Sequence, residues 1–226
     1  MNEIVLDWIL YLGDNGIIYW YLTAIIGLTL IHYITLKFYN DKESKVKELK
    51  KYLFILIFVT IIIIRLPGVS IPQLHLDEAE WMITAITFIE KPIGWLETHL
   101  TNTRPLTVLP LVTIGAIGLP IDYGTTRLVG IIMNCALVYF IYKTLQNYFE
   151  DKLSIVLCIP VISMLSLFTL WDYIAYNSEI PCILAITISI YVLTKNLLTD
   201  KQVLISGIIV GSIPHIKEQA APTAVV

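Results

Sequence analysis

Seven apolar runs dominate this chain, at about residues 17–38, 52–67, 106–121, 127–143, 153–171, 180–195 and 203–216, with short polar stretches between them. Runs of this length find a stable surrounding in hydrocarbon, where the backbone must satisfy itself as helix. Hydrophobic types make up 57% of the 226 residues and charged types 15%, against roughly 25% charged in soluble domains. That balance excludes a soluble globular domain and a disordered chain. A net charge of −3 leaves no general basic surface, which excludes nucleic acid as a partner. The fold class expected is all-α: a multi-pass transmembrane helical bundle of about six to seven spans, as one membrane domain over residues 1–226.

Lysine marks the topology. Residues 37–51 hold six of the fifteen Lys and Arg residues, so this short loop is expected to be cytoplasmic. The N-terminus is then outside, with an interfacial helix over 4–12, and the span 52–67 returns outward. Arg65 near its outer end is expected to snorkel to the headgroups. The polar-containing loop 68–105 falls outside. Segment 106–121 reads two ways. A full crossing puts Lys143, Lys152, Lys195 and Lys201 outside, whereas a re-entrant or interfacial helix puts all four inside. The second obeys the positive-inside tendency and gathers 75–80, 172–179 and 215–219 on one outer face. Residues 220–226 read as the opening of another apolar span, so the chain is expected to be incomplete at its C-terminus.

Cys135, Cys158 and Cys182 lie scattered in apolar stretches and read as small core or lipid-facing residues, without a disulfide framework. His32 reads as packed within the first span. No Gly-rich phosphate loop, HExxH, GxSxG or metal-spaced Cys/His set occurs, so no cofactor is indicated and a divalent metal is left open.

Four polar clusters interrupt the apolar pattern. The first holds His75, Asp77, Glu78, Glu80 and Trp81. A helix starting at Asp77 puts polar residues 77, 80, 84, 87 and 91 on one stripe, with Met82, Ile83, Ile86 and Ile89 opposite. This predicts an amphipathic helix in the membrane surface. Asp77 and Glu80 also have capping-box spacing, a purely local use. Carboxylates beside an apolar phase are costly unless hydrated, paired or used, and one there can serve as a general base.

The second cluster runs from Trp171 through Asp172, Tyr173, Tyr176, Asn177, Ser178 and Glu179. It reads as an interfacial aromatic belt, or as a sugar-binding patch in which Asn177 and Glu179 hydrogen-bond hydroxyls. The third is His215, Lys217, Glu218 and Gln219 at a span end. Here Lys217 either meets a lipid phosphate or snorkels and pairs with Glu218. In the fourth, Arg104 is suited to bidentate phosphate binding or to an ordinary interfacial position.

The order of these motifs resembles the N-terminal half of the GT-C glycosyltransferases, the superfamily of protein O-mannosyltransferases and aminoarabinose–lipid A transferases. The likeness rests on Arg65-Leu66-Pro67-Gly68, Asp77-Glu78-Ala79-Glu80-Trp81, Arg104-Pro105-Leu106, Arg127-Leu128-Val129-Gly130, Tyr176-Asn177-Ser178-Glu179 and Lys217-Glu218-Gln219-Ala220-Ala221-Pro222, in that order from about residue 52 to 226. Where that family commonly carries His-Pro-Pro or Lys-Pro-Pro, this chain has Arg104-Pro105-Leu106.

The resemblance implies a multi-pass enzyme of the cell membrane that uses a polyprenyl-phosphate-linked sugar on the extracytoplasmic face. It puts Asp77, with Glu78 beside it, at the reaction centre. Substrate binding is then expected of Glu80, Arg104, Asn177, Glu179, His215, Lys217, Glu218 and Gln219. Asp77 would take a proton from an acceptor hydroxyl, with Arg104 and Lys217 countering charge on the departing lipid phosphate. The alternatives are a non-enzymatic transporter, flippase or polysaccharide-export component, or an inactive fragment of the same family.

Overall fold

The computed structural model describes residues 16–40, 43–70, 76–91, 104–167, 175–195 and 198–224. Among them are eight α-helices, a 3-10 segment and no strand, so the all-α expectation holds. The helices are α1 (Gly16–Asn40), α2 (Glu43–Ser70), α3 (Leu76–Glu90), α4 (Pro105–Ala116), α5 (Tyr123–Leu145), α6 (Asp151–Leu167), α7 (Glu179–Leu193) and α8 (Asp200–Ile216). The 3-10 segment Glu218–Ala224 follows α8.

Helix α5 is long and apolar enough to cross a membrane. Its 23 residues reach about 34 Å at 1.5 Å per residue, against a hydrocarbon thickness of about 30 Å. Shorter apolar stretches run Tyr21–Lys37, Tyr52–Leu66, Pro105–Ala116 and Glu179–Leu193. With 12 residues, α4 is about 18 Å long, too short for a crossing.

Several element ends are written locally. Asp122 caps α5 by accepting from the Thr125 backbone N–H at 2.7 Å. Thr199 and Gln202 form a capping box at the start of α8. Pro105 stands at the first position of α4, and the residue before a proline is held extended, as Arg104 is (φ −96°, ψ 150°). The lysine-rich segment differs from its reading as a loop. Helix α1 runs to Asn40 and α2 starts at Glu43, so most of 37–51 is helical.

Helix α5 is the axis of the molecule. It packs against α2, α6 and α7 along its length and touches α3 and α4. One core unites α1, α2, α5 and α6 through Ile31, Leu53, Ile57, Ile61, Val138, Tyr142, Ile155 and Ile162. A smaller core joins α3, α4 and the segment before α7 through Trp81, Ala85, Val108, Leu111 and Tyr176. A third pairs α7 with α8 through Cys182, Ile213 and Ile216. Cys158 and Cys182 are buried, Cys135 is half-buried, and all three are free thiols.

Outward faces stay apolar. On α1, Ile18, Leu22, Ile25 and Ile26 are exposed, as are Val203, Leu204 and Ile208 on α8. Surfaces of that kind belong against lipid or another protein. His32, read from the sequence as packed, lies on the exposed side of α1.

Candidate functional site

A buried ion pair sets up the site. Arg127 occupies the first turns of α5 and Glu78 the first turn of α3. The guanidinium meets the carboxylate with two bonds, Nε to Oε1 at 2.9 Å and Nη2 to Oε2 at 2.7 Å. Its Nη1 donates to the Gly68 carbonyl at 2.7 Å, at the end of α2. The Tyr176 backbone N–H donates to Glu78 Oε1 at 3.4 Å. Four segments therefore meet at one pair, whose side chains are 1% and 0% exposed. The fork geometry satisfies both charges where water is excluded.

A second set of bonds extends this scaffold. The Tyr176 hydroxyl donates to the Thr107 carbonyl at 2.7 Å. The Thr107 hydroxyl donates in turn to the Ile216 carbonyl, the last residue of α8. Burial pushes the Tyr176 phenol well above its ordinary range, so it remains a donor. The ring stacks edge-on against Trp81 at 6.0 Å between centroids. Lys217, held extended just past α8, and Arg104, held extended just before α4, are thereby brought to one place.

Around this scaffold opens a cavity of about 730 Å³. Its polar mouth gathers Asp77, Arg104, Asn177, Glu179, Lys217, Glu218 and Gln219, so residues more than a hundred positions apart converge there. Two ion pairs span the mouth, Arg104 with Glu218 and Lys217 with Glu179. The pair of Lys217 with Glu218, one of the two uses read for that lysine, is replaced by a crossed arrangement. Asn177 Oδ1 accepts from the Ile180 backbone N–H at 3.1 Å, which ties the start of α7 while the residue faces the cavity.

The other end of the cavity is apolar, lined by Leu137 and Ile141 of α5, Val161 and Met164 of α6, and Ile183 of α7. Both α6 and α7 pack on α5 but scarcely on each other. Of these residues, Met164 and Ile183 are 47% and 46% exposed.

Three of the expected residues stand elsewhere. Glu78, expected beside Asp77 at a reaction centre, has both oxygens committed to Arg127 and lies outside the cavity lining. Glu80 is half-buried and His215 exposed, and neither is among the lining residues described. Helix α3 begins at Leu76, so Asp77 sits inside its first turn rather than at its cap. Its buried face carries Glu78, Trp81, Thr84 and Ala85, while Ile83, Ile86 and Ile89 point outward. His75, residues 101–103 and 171–174, and the helix expected over 4–12 lie outside the described residues.

Arg65, Trp81, Asn134 and Tyr176 also line the cavity, although none was picked from the sequence as a site residue. Arg65 was expected to snorkel outward. It is 6% exposed and donates from Nη2 to the Leu165 carbonyl at 3.0 Å. Arg127 and Asn134 did leave a sequence signal, since each is a lone polar residue in or at the start of an apolar run. Among the described residues, no three His, Cys, Asp or Glu side chains are grouped to hold a metal ion. Comparison with protein-family models, curated proteins and solved structures finds no match.

Proposed function

We propose that this chain is a multi-pass membrane glycosyltransferase of the GT-C type, or a part of one, acting on a polyprenyl-phosphate-linked sugar at the outer membrane face. One observation carries the reading: a single cavity is lined both by acids, cations and amides and by apolar side chains, two of which, Met164 and Ile183, are half-exposed. A lipid-linked sugar has the same two-part chemistry, a polar head on a long apolar chain. The exposed apolar faces of α1 and α8 and the length of α5 support a lipid surrounding.

In the proposed reaction Asp77 accepts the proton of an acceptor hydroxyl as its oxygen attacks the anomeric carbon. The bond from that carbon to the phosphate oxygen breaks, and the lipid phosphate leaves with the bonding pair. Direct displacement inverts the anomeric centre. Glu78 supports Asp77 through the backbone, because its pair with Arg127 fixes the first turn of α3. The test is transfer from a panel of polyprenyl-phosphate sugars by membranes carrying the protein. Asp77→Asn should lower transfer by about 10²–10⁴-fold while donor binding persists. Undiminished transfer in that variant removes Asp77 from the role.

A lipid carrier that moves the same ligand without transferring it is the second reading. It is favoured by Asn134, a polar residue lining the cavity halfway along α5. Ligand translocation without any transfer product would select it.

A further inference from the structure

The end of the bundle away from the mouth carries a second polar cluster, which the proposed reaction does not use. Helices α5 and α7 run side by side in one direction. A Cβ at Gly130, in the first half of α5, would touch Ile180 at the start of α7. Beyond the other ends of both helices, the Asn147 amide donates to the Thr194 hydroxyl at 2.9 Å. Lys143 lies about one turn before Asn147, and Lys195 follows Thr194, so this bond brings the two lysines to one level. Aromatic rings link them. Lys143 Nζ stands 5.9 Å from the Tyr139 ring centroid and 5.8 Å from that of Tyr142. Tyr139 meets Phe140 edge-on at 5.4 Å, and Phe140 meets Tyr191 at 5.6 Å. Lys195 Nζ stands 4.7 Å from the Tyr191 centroid.

Charge sets these lysines apart from the cations of the mouth. Arg104 and Lys217 each face a carboxylate. Lys143 instead donates to the neutral Gln146 Oε1 at 3.0 Å, and Lys195 lies over a ring. Neither has an acidic partner among the described residues, because the nearby Asp151 accepts from Gln146 and Tyr142. Two half-buried cations that no carboxylate neutralises attract an anion, and the ring faces beside them suit the boundary between headgroup and chain. From Lys143 the same side of α5 runs back through Tyr139, Ile132 and Leu128, all exposed. The stretch from Lys143 to Ile132 is about 16 Å, close to half of a hydrocarbon thickness of about 30 Å. We propose that Lys143 and Lys195 bind the phosphate of an anionic phospholipid in the leaflet opposite the mouth, with an acyl chain along Ile132 and Leu128. The proposal rests on the reading of the chain as seated in a bilayer, and not on the transfer reaction.

The test is native mass spectrometry of the full chain in detergent, with phosphatidylglycerol or phosphatidylcholine of the same acyl chains added. Both lipids carry a phosphate, but only the first keeps a net negative charge. The wild type should bind phosphatidylglycerol about tenfold more tightly. K143Q/K195Q should lose most of that preference, whereas K143R/K195R, which keeps both charges, should retain it. Lys201→Gln, which removes an exposed lysine from the first turn of α8, should leave it unchanged. Undiminished preference in K143Q/K195Q, or an equal loss in Lys201→Gln, overturns the site and leaves the membrane reading in place. A wild type that binds neither lipid overturns both. Glycerol 3-phosphate should fail to displace the lipid. Displacement at equal concentration would make the ligand a soluble anion and overturn the lipid assignment.

Discussion

The Glu78–Arg127 pair and the two pairs at the cavity mouth use the same chemistry in opposite surroundings. The first is 1% and 0% exposed and joins four segments by two-point contact. The mouth pairs are 44% and 73% exposed for Arg104 and Glu218, and 24% and 49% for Lys217 and Glu179. A buried pair cannot be broken cheaply, because whichever charge remains is stranded without water. A solvated pair exchanges partners at little cost. The same residue types therefore serve as architecture in one place and as a solvated, exchangeable surface in the other.

The largest effect should come from breaking the buried pair. Arg127→Leu is expected to cost about 3–5 kcal/mol, since it strands the Glu78 carboxylate and the Gly68 carbonyl. Glu78→Leu should do similar damage. The double exchange E78L/R127L should be more stable than either single variant, because no lone charge remains. Detergent-solubilised protein followed through thermal unfolding gives the comparison. Single variants within about 1 kcal/mol of the wild type would show that water reaches the pair and that it does not hold the four segments.

Much of this arrangement was legible in the sequence, and the missing part has a physical cause. Composition and apolar runs were enough for an all-α chain, because period and polarity are local properties. Seven of the ten residues picked from the polar clusters meet in one cavity, since polar residues at the ends of apolar runs tend to share a surface. Pairing was not legible. One of the two uses read for Lys217 was a pair with its neighbour Glu218, whereas the fold gives it Glu179 and gives Glu218 to Arg104. Glu78 and Asp77 looked alike as adjacent acids, but the roughly 100° of helix rotation between them aims one at Arg127 and the other at the cavity. Only long-range packing, which puts Arg127 against Glu78 forty-nine residues away, decides which acid is a strut. Arg65 was misread for the same reason, because whether a helix-end arginine turns outward or inward depends on its neighbours.

A middle-sized effect is expected at Tyr176, which stands between the two regions. Tyr176→Phe removes the bond to the buried Thr107 carbonyl and should cost about 1–3 kcal/mol. The phenol also gives a pH signature. Its folded value is raised above the ordinary value of 10.0 by burial. A raised acid of this kind contributes stability that is complete below that value and declines as pH climbs above it. The wild type should therefore lose stability more steeply above about pH 10 than Tyr176→Phe does. Parallel slopes would mean that the phenol is not shielded in the folded chain.

The smallest effects should lie at the mouth, and their sign is more informative than their size. Lys217→Ala removes one side of an exposed pair, so stability should change by less than about 1 kcal/mol. Affinity for a phosphate-bearing lipid should fall only a few-fold, since Glu179 already offsets the lysine charge. Glu179→Gln separates pairing from binding. It keeps the shape and the hydrogen-bonding capacity of the side chain but removes the competing negative charge. Binding of a short-chain prenyl phosphate should then tighten by a few-fold, and the gain should shrink as salt is raised. The matched prenyl alcohol should show no such gain. Weaker phosphate binding in Glu179→Gln would mean that Glu179 touches the ligand's hydroxyls itself, and the mouth would then be a recognition surface rather than an electrostatic gate.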